Sequence, residues 1–295
     1  MRVGMKLESD FLTSATYRRL FHGRPFPHLE RAGLEFIEFP IRADFNETHY
    51  RGFALGTIQR GMKVSLHPYP EGIFNPAAFE DREDNPCRRF AIRCLRFGDE
   101  IAREQGDPLV MTFHAASSAR TAGLPWAKEG REFYFHRSRA YFEWIASFIR
   151  SNDLQVKPMA ELQLTPRPDQ PFLRIGDTYD ELLALLEGLE GVDICWDMGH
   201  GIMNGLRIGL PPEPPEAFVR KVGHVHLHDI HRGRDHHPLL YGHVPYRTYL
   251  QRLKGAGFSG SINLELTASG IYHAGDFQYV LGACIEKVRE AWREG

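Results

Sequence analysis

The chain has 295 residues, of which 42% are hydrophobic and 25% charged, and its formal net charge is −2. This size and composition suit one large domain with ample core. The near-neutral charge balance excludes a bulk polycation that binds nucleic acid through charge alone. No run approaches the roughly 18 apolar residues of a membrane span. Met1–Leu7 lacks the apolar region of a signal peptide. The four cysteines form no Cys-x-x-Cys pair. We therefore expect a cytoplasmic protein without a membrane segment or a disulfide framework.

Short apolar runs alternate with longer amphipathic stretches along the whole chain. The runs predict eight strands: Arg2–Lys6, Glu35–Ile41, Lys63–His67, Leu109–His114, Gln155–Gln163, Asp193–Asp197, Gly223–Asp229 and Ser261–Leu266. Helical patterns lie near residues 24–33, 47–60, 76–105, 128–151, 178–189, 214–221, 245–256 and 276–293. Eight β–α units in about 250–300 residues predict an α/β fold, a closed (β/α)8 TIM barrel formed by one domain over residues 1–295. The alternative is an open doubly wound sheet, but that fold usually has a glycine-rich nucleotide turn, and neither GxGxxG nor GxxxxGK[ST] occurs here.

Polar and apolar side chains alternate within the predicted strands. Successive strand residues point to opposite faces, so the apolar face should contact the helices and the polar face should line the barrel interior. On six strands the inward polar residue nearest the carboxyl end is a histidine or a carboxylate: His67, His114, Glu161, Asp197, His226 and Glu265. Active sites of such barrels lie at that end. We therefore predict that these six side chains share one mouth.

The stretch Val222–His237 contains six of the fifteen histidines. His224, His226 and His228 alternate there with aliphatic residues, so one face of the strand is all imidazole. Neutral imidazole is a common metal ligand, and a metal site explains this alternation. The alternative is a polar barrel interior with hydrogen-bonded histidines. We interpret His224 as such a deeper filler, and His228 and His231 as solvated or as supporting the ligands.

Imidazole and carboxylate without thiolate suit divalent Zn²⁺, Mn²⁺, Mg²⁺, Co²⁺ or Fe²⁺. The first predicted ligand set consists of Glu161, Asp197, His226 and Glu265. A second set would consist of His67 and His114, with Glu161 bridging. A third would consist of His200, Asp235 and His237. The sequence thus predicts a divalent-metal cofactor of one to three ions.

The order of these motifs resembles the xylose-isomerase-like TIM-barrel superfamily, which includes endonuclease IV and the sugar phosphate isomerases and epimerases. The matching pieces span nearly the whole chain: Ser-Leu-His67-Pro-Tyr, Thr-Phe-His114-Ala, Ala-Glu161-Leu, Asp197-Met-Gly-His200, His226-Leu-His-Asp229, Asp235-His-His237 and Leu-Glu265-Leu. The resemblance implies that the first set binds metal throughout the superfamily. It also implies that, in endonuclease IV, the other five residues complete a three-zinc site.

Two functions follow from this resemblance. In an isomerase or epimerase of a sugar or sugar phosphate, Glu161 and Glu265 would remove and return a proton at carbon, with Lewis-acid help. Four residues would contact the substrate: Glu38, His200, Arg232 and Arg234. The alternative is a multinuclear zinc phosphodiesterase like endonuclease IV, an AP endonuclease, which the complete set of nine ligands favours.

The surroundings of the ligands favour the isomerase or epimerase. Endonuclease IV opens with Gly-Ala-His-Val-Ser, and this chain has Gly4-Met5-Lys6-Leu7 at that point. Phosphate contacts need several basic residues, but Pro68–Asn75 and Asp197–Asn204 have none and Ala115–Gly123 has only Arg120. The epimerase pattern is broken at Arg167, where that group has a second glutamate. We predict a small carbohydrate-like substrate, no tight DNA binding and no membrane partner, and the sequence is compatible with a homo-oligomer.

Overall fold

Eight parallel strands close into a barrel in the computed structural model, which describes residues 1–8, 15, 25–69, 71–119, 121–170 and 172–294. The described strands are β1 Arg2–Lys6, β2 Phe36–Ile41, β3 Lys63–Pro68, β4 Leu109–Phe113, β5 Val156–Glu161, β6 Asp193–Asp197, β7 Val222–Leu227, β8 Asp229–His231, β9 Arg234–His237 and β10 Ser261–Leu264. Around the barrel the order is β1-β10-β7-β6-β5-β4-β3-β2, and β8 and β9 form a separate antiparallel hairpin. The predicted (β/α)8 barrel is confirmed.

Helices follow the strands and surround the barrel. Those described are α1 Pro25–Arg31, α2 Glu47–Ile58, α3 Pro86–Gln105, α4 Arg131–Ser151, α5 Tyr179–Leu185, α6 Met198–Ile208, α7 Glu216–Arg220, α8 Tyr246–Gly255, α9 Ala268–Ala274 and α10 Phe277–Glu294. The predicted helical pattern near 76–105 divides into two parts, because a 3-10 turn at Pro76–Ala78 is followed by α3, which Asn85 caps through the backbone N–H of Arg88. None of the described helices has the length and apolar character that a membrane span requires.

Among the described residues, the sequence prediction lacks the helices α6 and α9 and the hairpin β8–β9. The helix α6 begins immediately after β6, and its cap is the last residue of that strand: Asp197 Oδ1 accepts from the backbone N–H of His200 at 2.7 Å. Its first turn, Met-Gly-His-Gly, contains weak helix formers, so no helical periodicity is visible there. The helix α9 has only seven residues. The hairpin β8–β9 lies within the histidine-rich stretch that we predicted as one strand and its loop.

The observed alternation within the strands follows the predicted one. Apolar residues such as Val64, Leu66 and Ile262 are buried in the core, while the polar members of the same strands approach one another inside the barrel. A glycine is needed at position 4, because a Cβ there would overlap the ring of Phe36 in the barrel interior. All four cysteines are buried free thiols.

Candidate functional site

Four side chains converge at the carboxyl end of the barrel: Glu161, Asp197, His226 and Glu265. Their candidate ligand atoms all lie within 4.8 Å of one another, and all four residues are buried. Each comes from a different strand, since Glu161 ends β5, Asp197 ends β6, His226 lies near the end of β7 and Glu265 follows β10. The structure therefore brings together the first predicted ligand set, which we call the central cluster.

The central cluster has the donor atoms that a divalent cation needs. Asp197 Oδ2, His226 Nδ1 and Glu265 Oε2 are buried, and none has a hydrogen-bond partner in the part of the chain that the structure describes. His226 Nδ1 lies 2.6 Å from Glu265 Oε2, but without the geometry of a hydrogen bond. Buried polar atoms without partners are costly. Three carboxylates and one imidazole around a shared point would satisfy these atoms by binding a hard or borderline divalent ion.

Glu38 lies directly below the central cluster. It is fully buried and accepts hydrogen bonds from Asn263 Nδ2 at 2.9 Å and Ser65 Oγ at 3.3 Å. Its Oε1 lies 3.1 Å from His226 Nε2, the ring nitrogen opposite the one that faces Glu265. The predicted substrate contact at Glu38 has no support from this geometry, because this carboxylate is fully buried behind the imidazole rings, where it can orient them. Glu38 also forms a group of candidate ligands with His67 and His226.

The second predicted set also comes together. His67 Nε2 lies 3.0 Å from His114 Nε2 and 3.1 Å from Glu161 Oε2, and His114 Nε2 lies 3.2 Å from the same carboxylate oxygen. His67 is fully buried, whereas the side chain of His114 is 23% exposed and faces the cleft. Glu161 thus belongs both to this pair of histidines and to the central cluster.

The third predicted set is only partly assembled. His200 Nδ1 lies 3.2 Å from Asp197 Oδ2, but His237 is turned away, because β9 pairs it with Asp229 and its ring contacts Tyr241. The next residue back, His236, faces the site instead. His236 and His200 form a group with Asp197 and His228. The structure thus has His236, which the sequence prediction does not include, at the position where His237 was expected.

Asp235 is held by His236 rather than by His200. The imidazole of His236 lies between two carboxylates, with Nδ1 3.2 Å from Asp235 Oδ1 and Nε2 3.1 Å from Glu265 Oε1. His236 has a left-handed backbone, with φ of 58°, which is uncommon for a residue other than glycine. Strand alternation normally predicts which face each side chain lies on. It fails at His236, so the sequence does not show on which face the side chains of this hairpin lie.

His228 supports Asp197. Its Nδ1 accepts the backbone N–H of His236 at 2.9 Å, so the ring proton lies on Nε2, which donates to Asp197 Oδ1 at 3.0 Å. The supporting role that the sequence suggested agrees with these contacts, although His228 is buried rather than solvated. A side chain at Gly199 would overlap the His228 ring.

Replacing Gly199 with alanine is therefore expected to displace His228 and loosen Asp197. We expect a loss of roughly 1–3 kcal/mol in the free energy of unfolding, as for other overpacked sites, together with weaker metal binding. The matched control is Gly282→Ala in α10, where a Cβ meets no neighbour within 4 Å and where alanine should be neutral or stabilising by up to about 1 kcal/mol. Urea denaturation compares the two variants, and equal stability would contradict the packing of His228 on Gly199.

Burial and mutual attraction shift the pKa values of the site in opposite directions. Burial alone would raise the pKa of Glu161, but the imidazoles of His114 and His67 hold it well below its usual range. Burial would likewise raise the pKa of Glu265, and Lys6 and His226 reverse that effect. Burial lowers the pKa of His236, yet Glu265 and Asp235 outweigh it and raise that pKa to about 10. The pKa of His226 is also raised, because the negative charges of Glu38 and Glu265 outweigh the effect of burial.

These shifts predict that metal binding at pH 7 releases about two protons, one each from His226 and His236, because ligands must be deprotonated and a nearby cation discharges imidazolium. In the metal-free protein, the stabilisation from protonated His236 is complete below its unfolded pKa of about 6.5. It is lost as the pH rises through about 10. Titration calorimetry with Mn²⁺ in buffers of different ionisation enthalpy counts the protons, and zero release would contradict the protonated state.

Lys6 also lies at the site, although it is absent from the residues that the sequence predicts there. Its Nζ forms an ion pair with Glu265, and it lies 4.8 Å from the centre of the Tyr69 ring. Lys6 is the last residue of β1 and points into the mouth. It therefore fits the rule that the inward polar residue nearest the carboxyl end of a strand lies at the site. Its positive charge favours the ionised form of Glu265.

A cleft in two lobes lies above the cluster. The larger lobe, of about 330 Å³, is bounded by His114, Glu161, His200 and Glu265, and the smaller, of about 290 Å³, by Lys6, Tyr69 and Glu265.

Two arginines were predicted to contact the substrate, Arg232 and Arg234. Arg232 lies in the exposed turn of the β8–β9 hairpin, with φ of 51°, and Arg234 is the exposed first residue of β9. Neither lines the described walls of either lobe, so their predicted contact has no support from this geometry.

A family model described as xylose isomerase-like TIM barrel matches residues 26–293 of the chain. No curated protein matches the chain by sequence.

Solved structures with this fold cover nearly the whole chain. L-ribulose 3-epimerase is 16% identical, with a TM-score of 0.66 over 99% of this chain and 95% of that one. D-psicose 3-epimerase from Clostridium cellulolyticum H10, solved with D-tagatose, is 12% identical, with a TM-score of 0.66 over 99% of both chains. The 3-keto-D-glucoside 4-epimerase from E. coli is 14% identical, with a TM-score of 0.64 over 97% of this chain and 99% of that one. At these identities the likeness shows the shared fold.

Proposed function

Because the chain belongs to the xylose isomerase-like TIM barrel family, we propose that it is a divalent-metal-dependent isomerase or epimerase of a sugar or sugar phosphate. The observation that carries this proposal is the central cluster, in which two glutamates meet at one candidate cation site. Three structures with the same fold are named as sugar epimerases, which supports a carbohydrate substrate.

In this proposal Glu161, Asp197, His226 and Glu265 hold the cation, for which Mn²⁺, Zn²⁺, Mg²⁺ and Co²⁺ are the candidates. A bound divalent ion would polarise a carbonyl and an adjacent hydroxyl of the substrate. Glu161 and Glu265 come from strands that are three positions apart around the barrel. They are therefore arranged to approach a sugar from different sides, one removing a proton at carbon and the other returning it.

The surrounding residues favour the ionised form of both glutamates, the state in which either one can remove a proton; the glutamate that returns a proton must first take one up. A general base must be ionised before it accepts a proton. Lys6 beside Glu265, and His114 beside Glu161, hold the pKa values of these glutamates low against the opposing effect of burial. Tyr69 covers one side of the cleft, and its ring stacks on His67 at 4.4 Å between centroids. An aromatic ring in this position can exclude water and pack on a sugar face.

The direct test is turnover of ketoses by pure protein loaded with Mn²⁺ or Co²⁺. Pairs of C3 epimers and aldose–ketose pairs, as free sugars and as phosphates, are incubated in D₂O. Deuterium incorporation at the reacting carbon, lost after chelation and restored by added metal, supports the proposal. Metal-loaded protein that incorporates no deuterium into any member of the panel would contradict it.

A second candidate function, hydrolysis of a phosphodiester by a multinuclear zinc site, is favoured by the close approach of His67 and His114 to Glu161. Two or three ions per chain and metal-dependent incision of a duplex with an abasic site would favour it. The described walls of the cleft offer only three basic residues, Lys6, Arg42 and Arg174. A duplex polyanion needs more phosphate contacts than these, so we rank this function second.

A further inference from the structure

We propose that Arg174 binds an anionic group of the substrate, a phosphate or a carboxylate, in the larger lobe of the cleft. This inference rests on the proposed function, because it specifies the class of sugar on which the same site acts. It also moves the expected anion contact from the exposed arginines of the β8–β9 hairpin to a residue that lines the cleft wall.

The guanidinium of Arg174 has N–H groups that are not used in hydrogen bonds within the described residues. Its side chain is partly buried, and Nη1 donates to the backbone oxygen of Leu164 at 2.7 Å. The guanidinium also lies 5.4 Å from the centre of the Phe172 ring. Neither Nε nor Nη2 has a hydrogen-bond partner, and the side chain forms no ion pair, over the described ranges of the chain. A guanidinium presents its donors in a rigid fork that matches two oxygens of a phosphate or carboxylate.

The backbone around Arg174 is fixed by the neighbouring loop. Arg174 forms an antiparallel bridge with Ser117, and the residues on either side are tied to the same loop. The N–H of Ile175 donates to Ala116 O at 3.0 Å, and the N–H of Ser118 donates to Leu173 O at 2.9 Å. A side chain carried by such a fixed backbone binds with less loss of conformational entropy. The loops after β4 and β5 thus hold Arg174 in place before any ligand binds.

The other two basic residues on the described cleft walls already have carboxylate partners. Lys6 pairs with Glu265, and Arg42 lies 3.4 Å from Glu71. Burial lowers the pKa of Arg174, and the nearby Arg207 lowers it further, which are the effects expected of a cation without its own counter-ion. Glu161, Asp235 and Asp177 act in the opposite direction, but none of the three forms an ion pair with Arg174. A partly buried cation is more stable when it is paired, and a ligand anion would supply the pair.

The experiment measures equilibrium binding to Mn²⁺-loaded protein, because binding does not require turnover. The probes are D-ribulose with its 5-phosphate, D-fructose with D-fructuronate, and inorganic phosphate alone. We expect the anionic member of at least one sugar pair to bind about tenfold more tightly or better, the range of a charged hydrogen bond. Arg174→Gln should reduce that preference to less than about threefold and weaken inorganic phosphate binding, with the neutral sugars little changed, whereas Arg174→Lys should be intermediate.

Arg167→Gln is the matched control, because it removes the same charge from an exposed position of the same loop, where Arg167 lies 3.5 Å from Asp169. It should preserve the preference. A preference confined to the phosphate pair identifies a sugar phosphate, and one confined to the uronate identifies a sugar acid. A preference that survives Arg174→Gln, or no tighter binding of any anionic probe, overturns the inference. Anion binding through Arg174 without isomerisation would remove the proposed function and leave this site intact.

Discussion

Glu265→Gln is expected to lower kcat/KM for the ketose substrate by about 10³-fold or more, because it removes a proton-transfer group and a ligand together. The substitution keeps the shape of the side chain but removes its charge, next to Lys6, His226 and His236. The measurement is kcat/KM at saturating Mn²⁺, with metal content determined on the same sample. Saturating metal separates the loss of proton transfer from weaker metal binding.

The control for this result is His67→Ala. His67 contacts Glu161 and His114 but does not belong to the central cluster. In a mononuclear isomerase its loss should reduce kcat/KM far less than Glu265→Gln does. Comparable, near-total loss in both variants would show that His67 is as necessary as Glu265 and would contradict a mononuclear site.

Glu38→Ala is expected to lower the free energy of unfolding by about 3–5 kcal/mol, as for other buried ionic networks that lose one partner. Without this carboxylate, the side chains of Asn263 and Ser65 lose their acceptor, and His226 and His224 lose a neighbouring charge at 3.1 and 3.3 Å. Mn²⁺ affinity should fall about 10–100-fold, since the orientation of a ligand histidine depends on the group behind it.

Urea denaturation and a Mn²⁺ titration of the same samples check this prediction. Glu38→Gln, which keeps an acceptor for Asn263, should lose less stability than Glu38→Ala. The surface control is Glu30→Ala, which removes only an exposed ion pair with Arg60 and should change stability by less than about 1 kcal/mol. If Glu38→Ala is as mild as Glu30→Ala, then Glu38 does not orient the site.

The central cluster could be predicted from sequence because it depends on strand alternation. Glu161, Asp197 and His226 lie on strands, where the parity of a residue fixes the face on which its side chain lies. The register shift between β6 and β7 comes before Asp197 and His226, which pair with each other. Parallel strands in a closed barrel then bring all the carboxyl ends to one mouth. The barrel itself and the convergence of the first two ligand sets follow from these two rules.

Two of the three residues that the sequence prediction does not include, His236 and Arg174, lie where that periodicity ends. His236 and Arg232 have left-handed backbones, so the hairpin that carries them does not follow simple alternation. Arg174 lies on an irregular segment between β5 and α5, where sequence has no period to exploit. Lys6 had the correct parity, but a single lysine in a strand is usually a solvated residue. Tertiary contacts, in this case the ion pair with Glu265, determine its position.

The central claim is that Glu161, Asp197, His226 and Glu265 together hold one divalent cation. A crystal structure of Mn²⁺-loaded protein, with an anomalous difference map at the manganese edge, tests this claim most directly. We predict a peak with oxygen or nitrogen atoms of all four side chains within about 2.0–2.4 Å, the range for such ligands. A map with no peak between these side chains, or with manganese bound only elsewhere, would contradict the claim.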